Sequence, residues 1–243
     1  MKVKATALLD ACDIAASLGS YSIAVVPQED GWEIWSRGDS KISAVYTKLL
    51  TDAFPDGYVQ GDGFTVKHGF FSDATARGAE PDITVEGGKL TIKDGKRRQS
   101  VRLDGFDAYE AVKVMPSYTP EASMAIMADD LKVFFRQKQL KDFKGQLGIR
   151  FTLTQDGLTA KTEDELTSFE DFLPCDAVTL PEGVESVTAR FMVDAVIPMI
   201  MAMPKGAIVT LGFDTNHPVE LTVNTEELQA RLLLAPLIAE DEE

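Results

Sequence analysis

Two Asp-Gly turns sit at matching places in two stretches of similar pattern. They are Glu29-Asp30-Gly31 and Gln155-Asp156-Gly157. Each joins two apolar runs, which is a hairpin signal. The first stretch reads as strand Lys2 to Ala5, helix Thr6 to Leu18, strand Tyr21 to Val26, the turn, and strand Trp32 to Ser36. The second reads as strand Ser123 to Ala128, helix Asp129 to Lys141, strand Gly148 to Leu153, the turn, and strand Leu158 to Thr162. Alternation in Ile149, Phe151 and Leu153 puts one face inward and leaves Arg150, Thr152 and Thr154 outward.

The likeness continues beyond the hairpins. Strands Ser43 to Leu49 and Ser168 to Leu173 each lead to a further strand and a second helix, about Phe64 to Arg77 in one half and Met192 to Met203 in the other. Closing strands follow: Ile83 to Val85, Lys89 to Ile92 and Gln99 to Leu103, matched by Ile208 to Phe213, Val219 to Val223 and Arg231 to Leu234. A duplication of this kind predicts two similar α+β domains. They span 1–104 and 123–243. The segment 105–122 between them holds Gly105, Pro116, Ser117 and Pro120 and reads as an extended connector.

The C-terminus adds a different signal. Strand Arg231 to Leu234 runs into Ala235-Pro236 and then the acidic tail Glu240 to Glu243. Together with Ser36 to Val45, the hairpin Asp82 to Leu103 and the helix Asp130 to Arg136, this ending resembles the proliferating cell nuclear antigen (PCNA) family, archaeal or viral in type and divergent. The resemblance covers nearly the whole chain. It implies a DNA clamp fold with two topologically similar β-α-β-β-β-α-β-β-β domains. It also implies a ring-shaped homotrimer that encircles duplex DNA without regard to sequence. Its expected partners are DNA polymerase, a clamp loader, and ligase and flap nuclease bound through short peptide motifs.

Charge alone points elsewhere. Lys and Arg number 24 and Asp and Glu 39, a net of −15. A protein that binds DNA by neutralising phosphates is usually basic. A closed ring needs positive potential only on its inner wall. The resemblance places four helices there. Helix Asp129 to Lys141 fits, because Lys132 and Arg136 are four apart and share a face, while Leu131, Phe134 and Phe135 form the buried one. Lys138, Lys141 and Lys144 prolong the basic run, and Arg102, Lys67 and Arg77 are the remaining DNA-contact candidates. The first helix offers Asp10 and Asp13 and no cation, and the helix near Met192 is apolar. The positive charge is therefore expected mainly on the second domain. Without the resemblance, Lys132 and Arg136 read more readily as the solvated face of an ordinary amphipathic helix.

Two further surfaces follow from the resemblance. A partner-peptide pocket would combine Ile42 and Ala44, Val112, Val114 and Met115 of the connector, and Pro218, Ala235, Pro236 and Ile238. Each could instead pack under its own loop. Leu237 stands where the family has a cation. A subunit seam would pair the edge strand carrying Arg97, Arg98, Gln99, Val101 and Leu103 with the one carrying Phe169, Glu170, Asp171 and Phe172. The flanking charges are of opposite sign, and an open strand edge gains from a partner.

Enzyme chemistry has little support. His68 and His217 lack ligand spacing, and no nucleophile elbow, phosphate loop or metalloprotease motif occurs. No catalytic residue, metal or cofactor is expected. Cys12 and Cys175 read as small buried thiols in a reducing compartment. No run approaches the ~20 apolar residues of a membrane span, so no membrane partner is expected. The lack of a basic targeting run favours the cytoplasm of a cell without a nucleus. The sequence supports a DNA polymerase processivity factor first. A clamp-fold subunit of a hetero-oligomer, or a decoy with weak DNA binding, comes second. An unrelated acidic α+β enzyme or binding protein comes third.

Overall fold

The computed structural model of the chain describes residues 1–19, 22–36, 43–103, 115–136, 148–163 and 168–238. The chain divides into two compact units. One comprises Met1–Lys41, Val45–Pro116 and Asn224–Arg231; the other comprises Ile42–Ala44, Ser117–Val223 and Leu232–Glu243.

The first unit opens with helix α1 (Ala5–Ala16), an Ala- and Leu-rich segment of high helix propensity. Leu8, Ala11, Cys12, Ile14 and Ala15 lie on its buried side. Gly19, at φ +84°, ends the turn and donates its N–H to Ala16 O at 2.9 Å. Strands β1 (Ser22–Gln28), β2 (Gly31–Ser36), β3 (Ser43–Leu50) and β4 (Phe64–Lys67) follow, paired antiparallel in the order β3-β2-β1-β4. A single 3-10 turn, Thr51–Ala53, follows β3. Short helix α2 (Gly69–Ala74) leads to a separate antiparallel sheet, β5 (Asp82–Glu86), β6 (Lys89–Asp94) and β7 (Arg97–Arg102). The core centres on Trp32, edge-on to Phe54 at 5.3 Å and Phe64 at 5.8 Å between ring centroids.

The second unit repeats the plan. Its elements are β8 (Ser123–Met127), α3 (Ala128–Phe135), β9 (Gly148–Thr154), β10 (Gly157–Glu163), β11 (Ser168–Pro174), β12 (Val178–Thr179), β13 (Ser186–Met192), α4 (Val193–Ala202), β14 (Ile208–Gly212) and β15 (Val219–Asn224). One sheet has the order β11-β10-β9-β13. In the other, β12 pairs β8, β8 pairs β14 and β14 pairs β15. The last strand, β16 (Leu228–Leu234), is divided between the units. Phe151 anchors the core, 5.5 Å from Phe135 and from Phe191 and 6.2 Å from Phe213.

Both Asp-Gly turns are hairpins. Gly31 has φ +136° and Gly157 φ +143°. A Cβ at Gly31 would lie 1.9 Å from Leu49 O, and one at Gly157 2.2 Å from Leu173 O. Only glycine fits where the third strand passes this close. The alternation in β9 is also as expected: Ile149, Phe151 and Leu153 are fully buried, and Arg150 is exposed.

Two expected elements differ. The stretch Phe64 to Arg77 is not one helix. Phe64 and Val66 are buried and alternate with Thr65 and Lys67, so the first four residues form β4. Gly69 and a β-extended Thr75 confine α2 to six residues. The strand Lys2 to Ala5 shrinks to one bridge, Lys2 to Asp82, because α1 already starts at Ala5.

Candidate nucleic-acid face, sheet edges and partner surface

The helices carry the candidate DNA contacts. In the second unit, Asp129 and Asp130 occupy the first turn of α3, where the helix dipole favours acids. The carboxylate of Asp129 accepts the Gly206 N–H at 3.0 Å. Leu131, Phe134 and Phe135 are buried as expected. Lys132 is half-buried, and its ammonium donates to the carbonyl of Met203, just past the end of α4. Arg136 caps α3 and is exposed. Lys138, Lys141 and Lys144 lie outside the described residues.

In the first unit, Arg77 lies beyond α2, and its guanidinium donates to Asp10 and, at 2.8 Å, to Asp13. Asp10 and Asp13 are three apart on α1, so one guanidinium reaches both. The hydrogen bond to Asp10 pushes the Arg77 pKa further up. His68 Nε2 lies 3.8 Å from the same Asp13. Arg77, a DNA-contact candidate, stays exposed while it pairs with both acids of α1. No spacing rule signals a pairing across more than sixty residues. Lys67 ends β4 and is exposed, and Arg102 ends β7 and is exposed.

The two seam strands are both sheet edges. Among the described residues β7 pairs only with β6 in its sheet, and β11 only with β10 in its own. Arg97, Arg98 and Gln99 are exposed, and Val101 and Leu103 are half-buried. The Gln99 amide donates to Asp73 O at 2.9 Å, tying β7 to α2. On β11, Phe169 is buried, Asp171 is half-buried, and Glu170 and Phe172 are exposed. Part of the acid is already balanced, since Lys161, directly opposite on β10, lies 3.4 Å from Glu170. Beside β11 a groove of about 710 Å³ is lined by Met127, Val133, Leu173 and Pro174 among others. Val133 is 67% exposed. Sequence reasoning missed it, although an apolar residue off the buried face of α3 was visible in the helical period.

Of the partner-pocket candidates, Ile42, Val112 and Val114 lie outside the described residues. Met115 is half-buried and belongs to the first unit. Ala44, Pro218, Ala235 and Pro236 are half-buried and belong to the second unit, with Ile238 82% exposed. Leu237, in place of a cation, donates its N–H to Arg190 O at 2.6 Å and fixes the chain end. Next to Pro218, His217 stacks on Tyr118 at 6.0 Å. Tyr118 donates to Asp214 at 2.9 Å, and Asp214 also accepts the N–H groups of Glu121 at 3.1 Å and Ala122 at 3.2 Å. Burial and Asp214 push the Tyr118 phenol well above its usual range.

Both cysteines are buried free thiols. Among the described residues no cluster of His, Cys, Asp and Glu could hold a metal, and no helix is long and apolar enough to cross a membrane.

Two similar units, each setting a helix pair against antiparallel sheets and each with a strand edge unpaired among the described residues, define a clamp fold. It is the fold of PCNA. The Archaeoglobus clamp "A. fulgidus PCNA", determined with the C-terminal region of FEN-1, matches at a TM-score of 0.82 and 17% identity, over 99% of this chain and 98% of that one. PCNA from Entamoeba histolytica matches at 0.81 and 17%, over 98% of each chain. A PCNA2–PCNA3 complex from Sulfolobus tokodaii contains a chain matching at 0.79 and 15%, over 97% of this chain and 99% of that one. No protein-family model and no curated protein matches the chain in sequence.

Proposed function

We propose that the chain is a DNA sliding clamp, a non-enzymatic ring of three copies that encircles duplex DNA and holds a polymerase at its template. The observation that carries this is the clamp fold running over 97–99% of the chain. The two open edges, β7 basic and β11 acidic at their flanks, support closure by strand pairing between copies. The exposed Phe172 and Val133 beside β11 would be covered by the same contact. Arg136, Lys132 and Arg102 supply phosphate contacts, which carry no sequence information. A tethered polymerase that dissociates meets the same primer end at a local concentration on the order of mM. Clamp loader, ligase and flap nuclease would dock through short peptides, with Ala44, Pro218, Ala235 and Pro236 of the second unit as the candidate surface. The A. fulgidus clamp was determined with the C-terminal region of FEN-1 bound.

The test is solution mass together with polymerase stimulation. A mass three times 26.5 kDa and loader-dependent stimulation on primed circular DNA are expected. A monomer that leaves the polymerase unaffected would overturn the reading.

A second reading has its own observation. The face of α1 is acidic and Arg77 is paired within it, so this helix adds little positive potential. A ring built with different, more basic subunits would suit such a chain, as PCNA2 and PCNA3 pair in S. tokodaii. A mass below three copies alone, rising to three subunits with a second clamp chain, would select it.

A further inference from the structure

The two units differ at one sheet edge. In the second unit, β14 is covered along its length by β8, from Ile208 opposite Met127 to Gly212 opposite Ser123. The corresponding strand of the first unit is β5, and it is covered only at its start. Lys2 bridges Asp82, and Ile83 exchanges bonds with Met1, its N–H going to Met1 O at 2.8 Å and its carbonyl accepting from the terminal ammonium at 3.2 Å. Backbone groups alternate sides along an antiparallel strand. With the Ile83 pair facing this edge, the N–H and C=O of Val85 face it too. Among the described residues β5 has no ladder partner there beyond the Lys2 bridge.

A groove of about 560 Å³ runs along this open edge, walled by Trp32, Val59, Asp62, Phe64, Val85 and Glu86 among others. Trp32 is 1% exposed, yet its indole N–H has no acceptor among the described residues. A buried donor left in this state costs free energy that an incoming carbonyl would recover. Val59 is 68% exposed on the rim. Asp56 and Asp82 of the same groove already hold Lys2 and the N-terminus. Asp62 and Glu86 are the other exposed acids of the groove, Glu86 standing opposite Lys89 on β6.

We propose that this edge is a second docking site, independent of the clamp assignment, and that its occupant is an extended basic peptide segment adding a strand to β5. Main-chain bonds to Val85 supply the pairing, as in other cases of strand addition to a sheet edge. Alternate side chains point toward Trp32 and Phe64, and Lys or Arg side chains meet Asp62 and Glu86. A carbonyl of the segment accepts the Trp32 N–H.

The probe is a labelled octapeptide alternating Lys and Val, followed by fluorescence anisotropy with the full chain. The controls are a Glu-Val octapeptide and the same Lys-Val peptide N-methylated at alternate residues. Binding of the Lys-Val peptide alone is expected. Val85→Pro removes the outward N–H without touching the β6 ladder and should weaken binding at least tenfold. Trp32→Phe, which keeps the ring packing, should weaken it about threefold. The double variant Asp62→Lys, Glu86→Lys should weaken it about tenfold while leaving the circular dichroism spectrum unchanged. Equal binding of the Glu-Val or N-methylated peptide, or of wild type and the charge-reversed variant, overturns the proposal. So does no binding at 1 mM. Self-association that Val85→Pro abolishes would assign the edge to a second copy of the chain and overturn the peptide.

Discussion

The first unit closes its helix pair with a cation that two acids hold, and the second closes its pair with a cation that a carbonyl holds. Arg77 lies between Asp10 and Asp13; Lys132 reaches the Met203 carbonyl. The difference is in net charge. A guanidinium matched by two carboxylates leaves its surroundings negative, whereas an ammonium on a carbonyl keeps its full charge. The same fold therefore presents an acidic face on α1, while α3 sets Lys132 and Arg136 beside Asp129 and Asp130. Duplication fixes where helices and strands lie but not which charges their surfaces carry.

The shared skeleton gives the largest expected effect. Gly31→Ala and Gly157→Ala should each destabilise by about 3 kcal/mol, because both φ values are strained for alanine and the new Cβ overlaps a carbonyl oxygen. Denaturant midpoints would measure it. A loss at one glycine and tolerance at the other would break the equivalence of the two hairpins.

DNA contact should follow the charge difference. Lys132→Ala with Arg136→Ala should weaken binding to duplex DNA about tenfold and flatten its salt dependence. Arg77→Ala should change binding less than about twofold, since that guanidinium already serves Asp10 and Asp13. Fluorescence anisotropy at several salt concentrations separates the two. An Arg77→Ala loss as large as the double variant's would mean that Arg77 contacts DNA despite its pairing with α1.

The hairpins and the buried face of α3 were legible because they rest on local rules. A turn needs glycine at one place, and Leu131, Phe134 and Phe135 recur at helical spacing. The edge positions of β7 and β11 came with the resemblance rather than from a local rule. The misreading of Phe64 to Arg77 has a local cause too. Phe64 and Val66 alternate with period two for only four residues before α2 begins, too short a run to stand out. The capture of Arg77 was illegible in principle, because it depends on α1 and the turn after α2 meeting in space. Lys4 with Glu227, 2.5 Å apart, is hidden for the same reason. The candidates Ile42, Val112, Val114, Lys138, Lys141 and Lys144 fall outside the described residues and stay as sequence expectations.

The charge contrast can be reduced. Asp10→Asn with Asp13→Asn should leave Arg77 with amide acceptors and its full charge. Each subunit loses two negative charges on the candidate DNA face. Binding should tighten by about threefold at low salt, with the gain fading as salt rises. Unchanged affinity at low salt would place the α1 face away from DNA.

The smallest effect concerns the start of the chain, where the units also diverge. In the second unit β8 is held by a five-residue ladder. In the first, the N-terminal ammonium sits 2.8 Å from Asp82. Its hydrogen bond and charge, with help from Lys2 and Lys93, hold the Asp82 carboxyl below the usual carboxylate range. A carboxyl depressed in the folded state adds stability above its unfolded pKa of about 4 and loses it as pH falls through the folded value. The pair is exposed, so its share of total stability is small. Acetylating the N-terminus should move the Asp82 titration, followed by carbon NMR, back up toward the usual range. Melting at neutral pH should barely change, because the Lys2 bridge and the bond from Ile83 N–H to Met1 O remain. An Asp82 titration indifferent to acetylation would show that Lys2 and Lys93, rather than the terminus, govern this carboxylate.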